Sequence, residues 1–505
     1  MPVSNLHSNA QRIDYPSFDG GLNLSVPPSR LKPNELQEAK NVEFDASAGA
    51  MKVRGGLVWL QAFSSIHPEA PFAANHLSRI RSGAYIFREG TSEIAAVATI
   101  SDTGAVTIRH VVSEYFKEIP IALHYTGSGI VNNAIWDTEW QCLVASGGKL
   151  QRAYVKNNEW WGETISASPD GCRQVFTRDG RVGVVSENYT LRFSAVGDYT
   201  SWSNNPSDSS SGQFLDIGYK DGMDIDVVVP LSKDLIIFKS PRGDVGNGTI
   251  WRLIGSYPNW QVVEAAHNTG TFGINSVCAV GDDVYYVTPS GLAALSAVND
   301  YSEIRANWPD RKINRALQNL IDETAQLWNI PSKQQLWFRP NDRSSFVFVF
   351  DYAKGIWTEF DFPVQPIFAC EQKKEIYLFS EDDIFSIQAN LVNDWLADDV
   401  KKPISAALKL GTIENSHQTL AKGAVITYMY EDNENDAESS GEMLIGKYEL
   451  NMKNGGGGKW QTARSRFMAR DYSITPEIRL TGSCAVSKAS IEIAVSKASI
   501  EIAEV

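Results

Sequence analysis

One pattern dominates the chain between Val58 and Gln388. Short apolar runs alternate with turns of Gly, Asp, Asn and Ser, and the alternation keeps returning. "AYIFREGTSEIAAVATISDTGAVTIRHV" reads as three strands with SDTG between the last two. "NAIWDTEWQCLVASGGKLQRAYVKNNEWW" reads as three more around SGGK, and "CRQVFTRDGRVGVVSENYTLRFSAVGDYTSW" repeats the plan around RDGR and SENY. Four further segments follow, the last being "IFACEQKKEIYLFSEDDIFSIQA". Each unit spans roughly 35 to 50 residues with three or four strands, the period of a propeller blade. The count is six, or seven if the last segment stands alone. The expected fold is therefore mainly β: a six-bladed β-propeller, with seven blades as the alternative.

"FVFVFDYAKGIWTEFDF" is the sharpest unit. Phe346, Phe348 and Phe350 fall on one face and Val347 and Val349 on the other, so the strand is apolar on both sides. That is the signature of a sheet packed between two neighbours. One segment departs from the β pattern. "RKINRALQNLIDETAQLW" places Ile313, Leu317, Leu320 and Ile321 at helical spacing, which predicts a rim helix near 310–326.

The two ends have a different texture. "KNVEFDASAGAMKVRGG" reads as a hairpin: Val42 and Phe44 alternate with Glu43 and Asp45, Met51 and Val53 with Lys52 and Arg54, and Gly49 lies in the turn. Upstream, "FDGGLNLSVPPSRLKPNELQEAKN" reads as half loop and half short helix. After about Asp398 a second β region begins, with Gly455 to Gly458 as a loop between strands. "VSKASIEIA" occurs at 486–494 and again at 495–503. A nine-residue shift is odd, so the two copies would present opposite faces if they shared one register.

Composition narrows the function classes. Hydrophobic residues make up 43% and charged residues 21%, and the chain holds 38 Gly, 14 Trp, 18 Tyr and 21 Phe. That mixture fits a turn-rich globular β protein. The formal net charge of −14 argues against a nucleic-acid binder, though not against a conduit through which DNA slides. Five scattered cysteines without a CxxC read as buried free thiols rather than a metal cage or disulfide framework. The opening residues lack an apolar signal region, and no run of about 18 apolar residues exists, so neither secretion nor membrane insertion is expected.

Catalytic signatures are missing from the sequence. The seven histidines show no HEXXH or HxH spacing, and no G-x-S-x-G elbow occurs. "KDGMDIDV" brings Asp221, Asp224 and Asp226 close together but lacks the glycine of a calcium loop. "SAVGDYTSW" holds the letters of a sialidase repeat in the wrong order, leaving Asp198 to cap its own turn. The RGD at Arg242 to Asp244 is ordinary turn composition. Trp160, Trp161, Trp260 and Trp308 are candidates for a sugar-binding surface, with core packing the commoner role of such residues. No catalytic, cofactor or metal residues are assigned.

Four segments together resemble the β-propeller tail proteins of short-tailed bacteriophages, the tail nozzle, tail hub or DNA-stabilisation proteins. They are "FDGGLNLSVPPSRLKPNELQEAKNVEFDASAGAMKVRGG", "LRFSAVGDYTSW", "DDVYYVTPSGLAALS" and "FVFDYAKGIWTEFDF", in that order along residues 18 to 365. The resemblance implies a structural virion protein made in the host bacterial cytoplasm and residing in the tail. It would assemble as a ring of identical copies, six by family habit, below the portal or adaptor ring. It would seal the channel after packaging and let DNA leave on infection, with tail fibre, spike or needle proteins as further partners. The implied domains are a docking segment at 1–56, a propeller at 57–398 and a C-terminal β domain at 399–505 that packs with the docking segment as a platform. Phe18, Leu31, Phe44 and Arg54 are the candidate interface residues. Two other classes remain open on the residues alone: a glycan-binding or sialidase-like hydrolytic propeller, and a cellular protein-binding scaffold.

Overall fold

The computed structural model describes residues 10–494, apart from 63–83, 125–131, 298–303, 431–438, 454–458 and gaps of one to four residues. The glycine loop at 455–458 and the second VSKASIEIA copy lie outside the described residues.

The described strands fall into seven successive antiparallel units of four strands each. Units 1 to 5 are separate sheets. Unit 1 runs from Ala84–Glu89 to Tyr115–His124, unit 2 from Asn132–Trp136 to Glu159–Thr164, and unit 3 from Gln174–Arg178 to Gln213–Asp216. Unit 4 runs from Asp224–Leu231 to Gln261–His267 and unit 5 from Val277–Val280 to Ile304–Asn307. Unit 6 (Gln326–Ile330 to Ile356–Asp361) and unit 7 are embedded in larger sheets. Unit 7 takes three strands from Phe368–Gln372, Glu375–Phe379 and Asp383–Gln388, and its fourth, Gly56–Ala62, from far upstream. The first strand of each unit lies beside the first strand of the next, and that of unit 7 lies beside that of unit 1.

Alternation along each strand builds these layers, because successive side chains point to opposite faces. Val227, Ile236 and Phe238 join Val284, Tyr286 and Leu295 in a core between units 4 and 5. Their chain neighbours Val228 and Ile237 turn the other way, to a core shared with Phe176, Leu191 and Phe193 of unit 3. The FVFVF strand does the same. Val347 and Val349 pack toward unit 7 with Leu378 and Phe385. Phe348 and Phe350 pack on the other side in the largest core among the described residues. RDGR turns as expected: Asp179 and Gly180 both have positive φ, 52° and 68°, as a two-residue hairpin loop requires.

The expected helix near 310–326 is much shorter than its pattern suggests. A 3-10 turn, Pro309–Lys312, leads into one helical turn, Asn314–Leu317, and Gln326–Ile330 is the first strand of unit 6. Ile313 and Leu317 are fully buried, with Leu320 and Ile321 packed beside them, so the apolar face is real. Beyond the helix Asp322 caps a turn, its Oδ1 accepting from Thr324 N at 2.8 Å, before the chain enters the sheet. The short helix expected upstream of the hairpin is likewise one 3-10 turn, Pro28–Arg30, flanked by two-residue strands Gly21–Leu22 and Glu35–Leu36.

The chain ends build a second region. The hairpin pairs Val42 with Val53 and Phe44 with Met51. Its second strand continues onto Cys484–Ala494, which also pairs with Ala10–Tyr15 and with the long strand Ile413–Tyr430. Glu38–Lys40 bridges unit 6 to Ser405–Lys409, and three further C-terminal strands extend that sheet to nine. Asn393–Ala397 and Val400–Pro403 extend unit 7 in the same manner.

Candidate functional site

Among the described residues, polar chemistry is concentrated at the junction between the end-built region and units 6 and 7, and at the mouth of units 3 to 5.

The junction is organised by Arg54, which is 2% exposed. Its two terminal nitrogens grip the Asp394 carboxylate at 2.9 and 2.7 Å, Nε donates to Asn41 Oδ1 at 3.0 Å, and the remaining hydrogens reach the carbonyls of Gly55 and Asp361. All five guanidinium hydrogens are thus used, and the cation lies over the Phe362 ring at 4.8 Å. Asn41 has φ of 54°, and its side chain bonds Ser405 O at 2.8 Å and accepts from Asp361 N at 2.8 Å. Asp394 also accepts from Leu57 N at 2.9 Å. Four distant stretches meet here: the hairpin, unit 6, unit 7 and the strand after it.

Both double glycines of the opening serve the same approach. A side-chain carbon on Gly21 (φ 61°) would sit 2.6 Å from Ile356 Cγ2, and one on Gly56 would sit 2.2 Å from Asn393 O. Only glycine lets the backbone come this close. Beside this contact a charged row runs across the strand junction. Lys40 reaches Asp361 at 2.7 Å and Lys409 pairs with Glu38. Glu359, opposite Lys40, is pushed up to about 7, chiefly by burial, with the Asp361 and Glu38 charges adding to the rise against an opposing pull from Lys40.

The four candidate interface residues differ in what they expose. Phe18 is fully buried in the largest core, and Arg54 is consumed by its five hydrogen bonds, so neither offers a side chain to a partner. Leu31 is half-buried beside Gly411. Phe44 packs partly on the core, with Lys354 Nζ 5.7 Å from its ring centre. Nothing in the sequence signalled that Arg54 would take Asp394 and Asn41 as its partners.

The mouth of units 3 to 5 holds a cavity of about 630 Å³. Asp224 and Asp226 of KDGMDIDV line it together with Arg242 and Asp244 of the RGD turn, and each of the three KDGMDIDV acids has its own partner. Asp221 holds the fully buried Lys239 at 2.6 Å, Asp224 holds Arg242 at 2.9 Å, and Asp226 accepts from Ser240 Oγ at 2.6 Å. Burial pushes Asp226 up to about 6. Arg173 and Glu323 complete the charged lining, with Phe272 as an aromatic wall. The arrangement can accept hydroxyl and cationic groups, and among the described residues no cluster of His, Cys, Asp and Glu is placed to hold a metal ion.

Other candidates resolve into structure. Asp198 caps its turn, accepting from Thr200 N and Oγ1 at 2.8 and 2.6 Å. Trp260 stacks near Phe193 at 4.5 Å and donates to Asp179, and Trp308 packs against the core of units 4 and 5. The side chains of Trp160 and Trp161 lie outside the described residues. Cys172, Cys278 and Cys370 are free thiols, and burial pushes Cys172 and Cys370 up to about 12, too high for a thiolate nucleophile near neutral pH. No helix among the described residues is long and apolar enough to cross a membrane.

No protein-family model and no curated protein matches the chain. Solved structures similar to it include three β proteins. BamB from Moraxella catarrhalis is 11% identical over 61% of this chain and 82% of its own, with TM-score 0.35. The extracellular domain of a one-component system from B. thetaiotaomicron is 10% identical over 90% and 66%, with TM-score 0.45. An exo-beta-1,3-galactanase from Phanerochaete chrysosporium is 7% identical over 87% and 100%, with TM-score 0.28. Likeness at this level says nothing about what this chain binds or does.

Proposed function

We propose that the chain is a structural subunit of a short-tailed bacteriophage tail, a nozzle or hub protein without catalytic activity. Its seven units form a closed seven-bladed propeller, and its two ends form a platform. Closure is supported by the first strands meeting in a full circle and by the N-terminal strand Gly56–Ala62 completing the last unit. A blade shared between distant chain segments resists opening, because unzipping it needs both ends to detach.

The observation that carries the functional reading is the weld at Arg54. A platform joined to two blades through buried ion pairing and continuous sheets has many attachments to the propeller. That suits a subunit that docks by its platform on a portal or adaptor ring and holds a channel against packaged DNA. Copies related by rotation would form a ring, six by resemblance, through head-to-tail contacts. An overall charge of −14 suits a passage that should not grip its cargo. Electron microscopy of the purified chain, alone and mixed with the portal or adaptor protein of the same genome, tests the reading. A ring with an axial channel is expected; monomers under both conditions reject it.

The mouth cavity favours one second reading, a glycan-binding or glycan-hydrolysing propeller, because Arg173, Asp226 and Phe272 surround one space. Glycan-array binding or sugar release that Asp226→Asn abolishes would support it over the tail reading.

A further inference from the structure

The platform carries a basic groove that the acidic balance of the chain does not foreshadow. It lies on the outer face of the sheet formed by Gln461–Ile474, Ile413–Tyr430, Cys484–Ala494 and Ala10–Tyr15. Register places Arg464, Val425, Ser490 and Asp14 in one row across the four strands, and Arg466, Gly423, Glu492 and Arg12 in the next. Gly423 and the hydroxyl-bearing Ser490 are buried and form a floor, while the arginines rise around it to enclose about 530 Å³. Arg12 pairs with Asp14 at 2.5 Å. Arg464 and Arg466 are exposed and make no ion pair among the described residues. Two guanidinium groups two residues apart on one strand point to the same side and can each take a carboxylate through paired hydrogen bonds.

We infer that this groove receives the acidic segment Glu431–Glu438 of a second copy of the chain. That run, EDNENDAE, carries five carboxylates in eight residues: Glu431, Asp432, Glu434, Asp436 and Glu438. Local charge complementarity favours it: the exposed guanidinium groups of Arg464 and Arg466 match the five carboxylates of the run. Chain length selects a second copy over the same one. The segment joins Tyr430 to Ser440 and would have to run back along its own strand to Val425 and return. That path is about 33 Å at ~3.3 Å per residue, which nine linking residues span only when fully stretched. Between copies the contact is heterologous, groove of one to segment of the next, which is the kind that closes a ring. The inference rests on the ring reading for its setting but not for its chemistry.

The test uses a fluorescent peptide with the sequence of residues 429–441 and the full chain. Anisotropy should show saturable binding that weakens as salt rises. Arg464→Glu with Arg466→Glu should weaken it by at least about tenfold, the scale of losing two charge-assisted contacts. Both positions are exposed, so the variant should keep the parent melting temperature, which is checked first. A peptide with its five acids changed to lysine should bind the double variant and not the parent. Absence of binding, binding indifferent to the double variant, or a groove that takes a single-stranded oligonucleotide in preference to the peptide would each overturn the assignment. Particle imaging separates this from the tail reading. A ring that survives the double variant, with no peptide binding, leaves the ring standing and removes the groove. Peptide binding without any ring does the reverse.

Discussion

Units 3 and 4 and the platform are built from the same kinds of residues by opposite means. In unit 4 every strand pairs with its sequence neighbour, from Asp224–Leu231 through Gln261–His267. In the platform, Ala10–Tyr15 pairs with the far end of the chain, Ala10 opposite Ala494, and Lys40 lies opposite Ala407. Local pairing costs little loop entropy, whereas joining the two ends must pay for closing a loop of several hundred residues before any contact forms. The platform therefore needs attachments that local units do not. It has them in the Arg54 weld, the two double glycines, and a core that runs without break from Ile426 and Ile478 into Phe350 and Trp357 of unit 6. Units built locally tolerate isolation; a region built from both ends depends on its junction.

Removing the weld should break that comparison most strongly. Asp394→Ala leaves the Arg54 charge buried without its partner, a cost of about 3–5 kcal/mol. Chemical denaturation should then resolve an early transition for the platform ahead of the units, whereas the parent should unfold in one step. Gly56→Ala should cost about 2–3 kcal/mol, because the added carbon meets the Asn393 carbonyl and the backbone must retreat. If it leaves the denaturation midpoint unchanged, the close approach is not holding unit 7 shut.

A change inside a local unit should stay local. Arg181 is fully buried and donates to the carbonyls of Ser194, Ser209 and Ser211, pinning the 194–211 loop of unit 3. Arg181→Met strands those carbonyls at about 1–2 kcal/mol. Limited proteolysis should cut that loop while platform peptides keep their hydrogen-exchange protection; loss of protection in both regions would erase the distinction.

The smallest expected effect concerns pH. Glu359 titrates near 7 in the fold and near 4.5 when unfolded, so between these values the native state holds a proton that the unfolded chain has released. Stability must therefore fall as pH rises through that window. Lys40 and Glu359 face each other at the junction, and after allowance for partial solvent screening the effect is on the order of 1 kcal/mol. Glu359→Gln should flatten the dependence of the denaturation midpoint between pH 5 and 7; an unchanged slope would place the titration elsewhere.

The unit pattern was legible because it rests on alternation and turn chemistry, both local. Phe346 to Phe350 divide their faces as their order dictates, RDGR turns where Asp and Gly allow positive φ, and the hairpin at 42–53 pairs as read. The reading failed where local preference met a tertiary demand. The residues after Leu317 have helical spacing, yet they must deliver a strand to unit 6. Nothing local ties Gly56–Ala62 to its partner Asp383–Gln388, a strand more than 300 residues away.

Sequence alone thus determined the kind of building block: short antiparallel units, apolar on both faces, rich in turns, in a chain of acidic balance. Tertiary structure alone decided what the ends do. Arg54 reads in sequence as a polar residue ending a hairpin and becomes a buried clamp only when Asp394 arrives from 340 positions away. Arg464 and Arg466 read as scattered charges and become a groove only when Arg12 is laid across Cys484–Ala494. Charge and periodicity are properties of neighbours along the chain, but a site is made by neighbours in space, and strand pairing over such separations leaves no local trace.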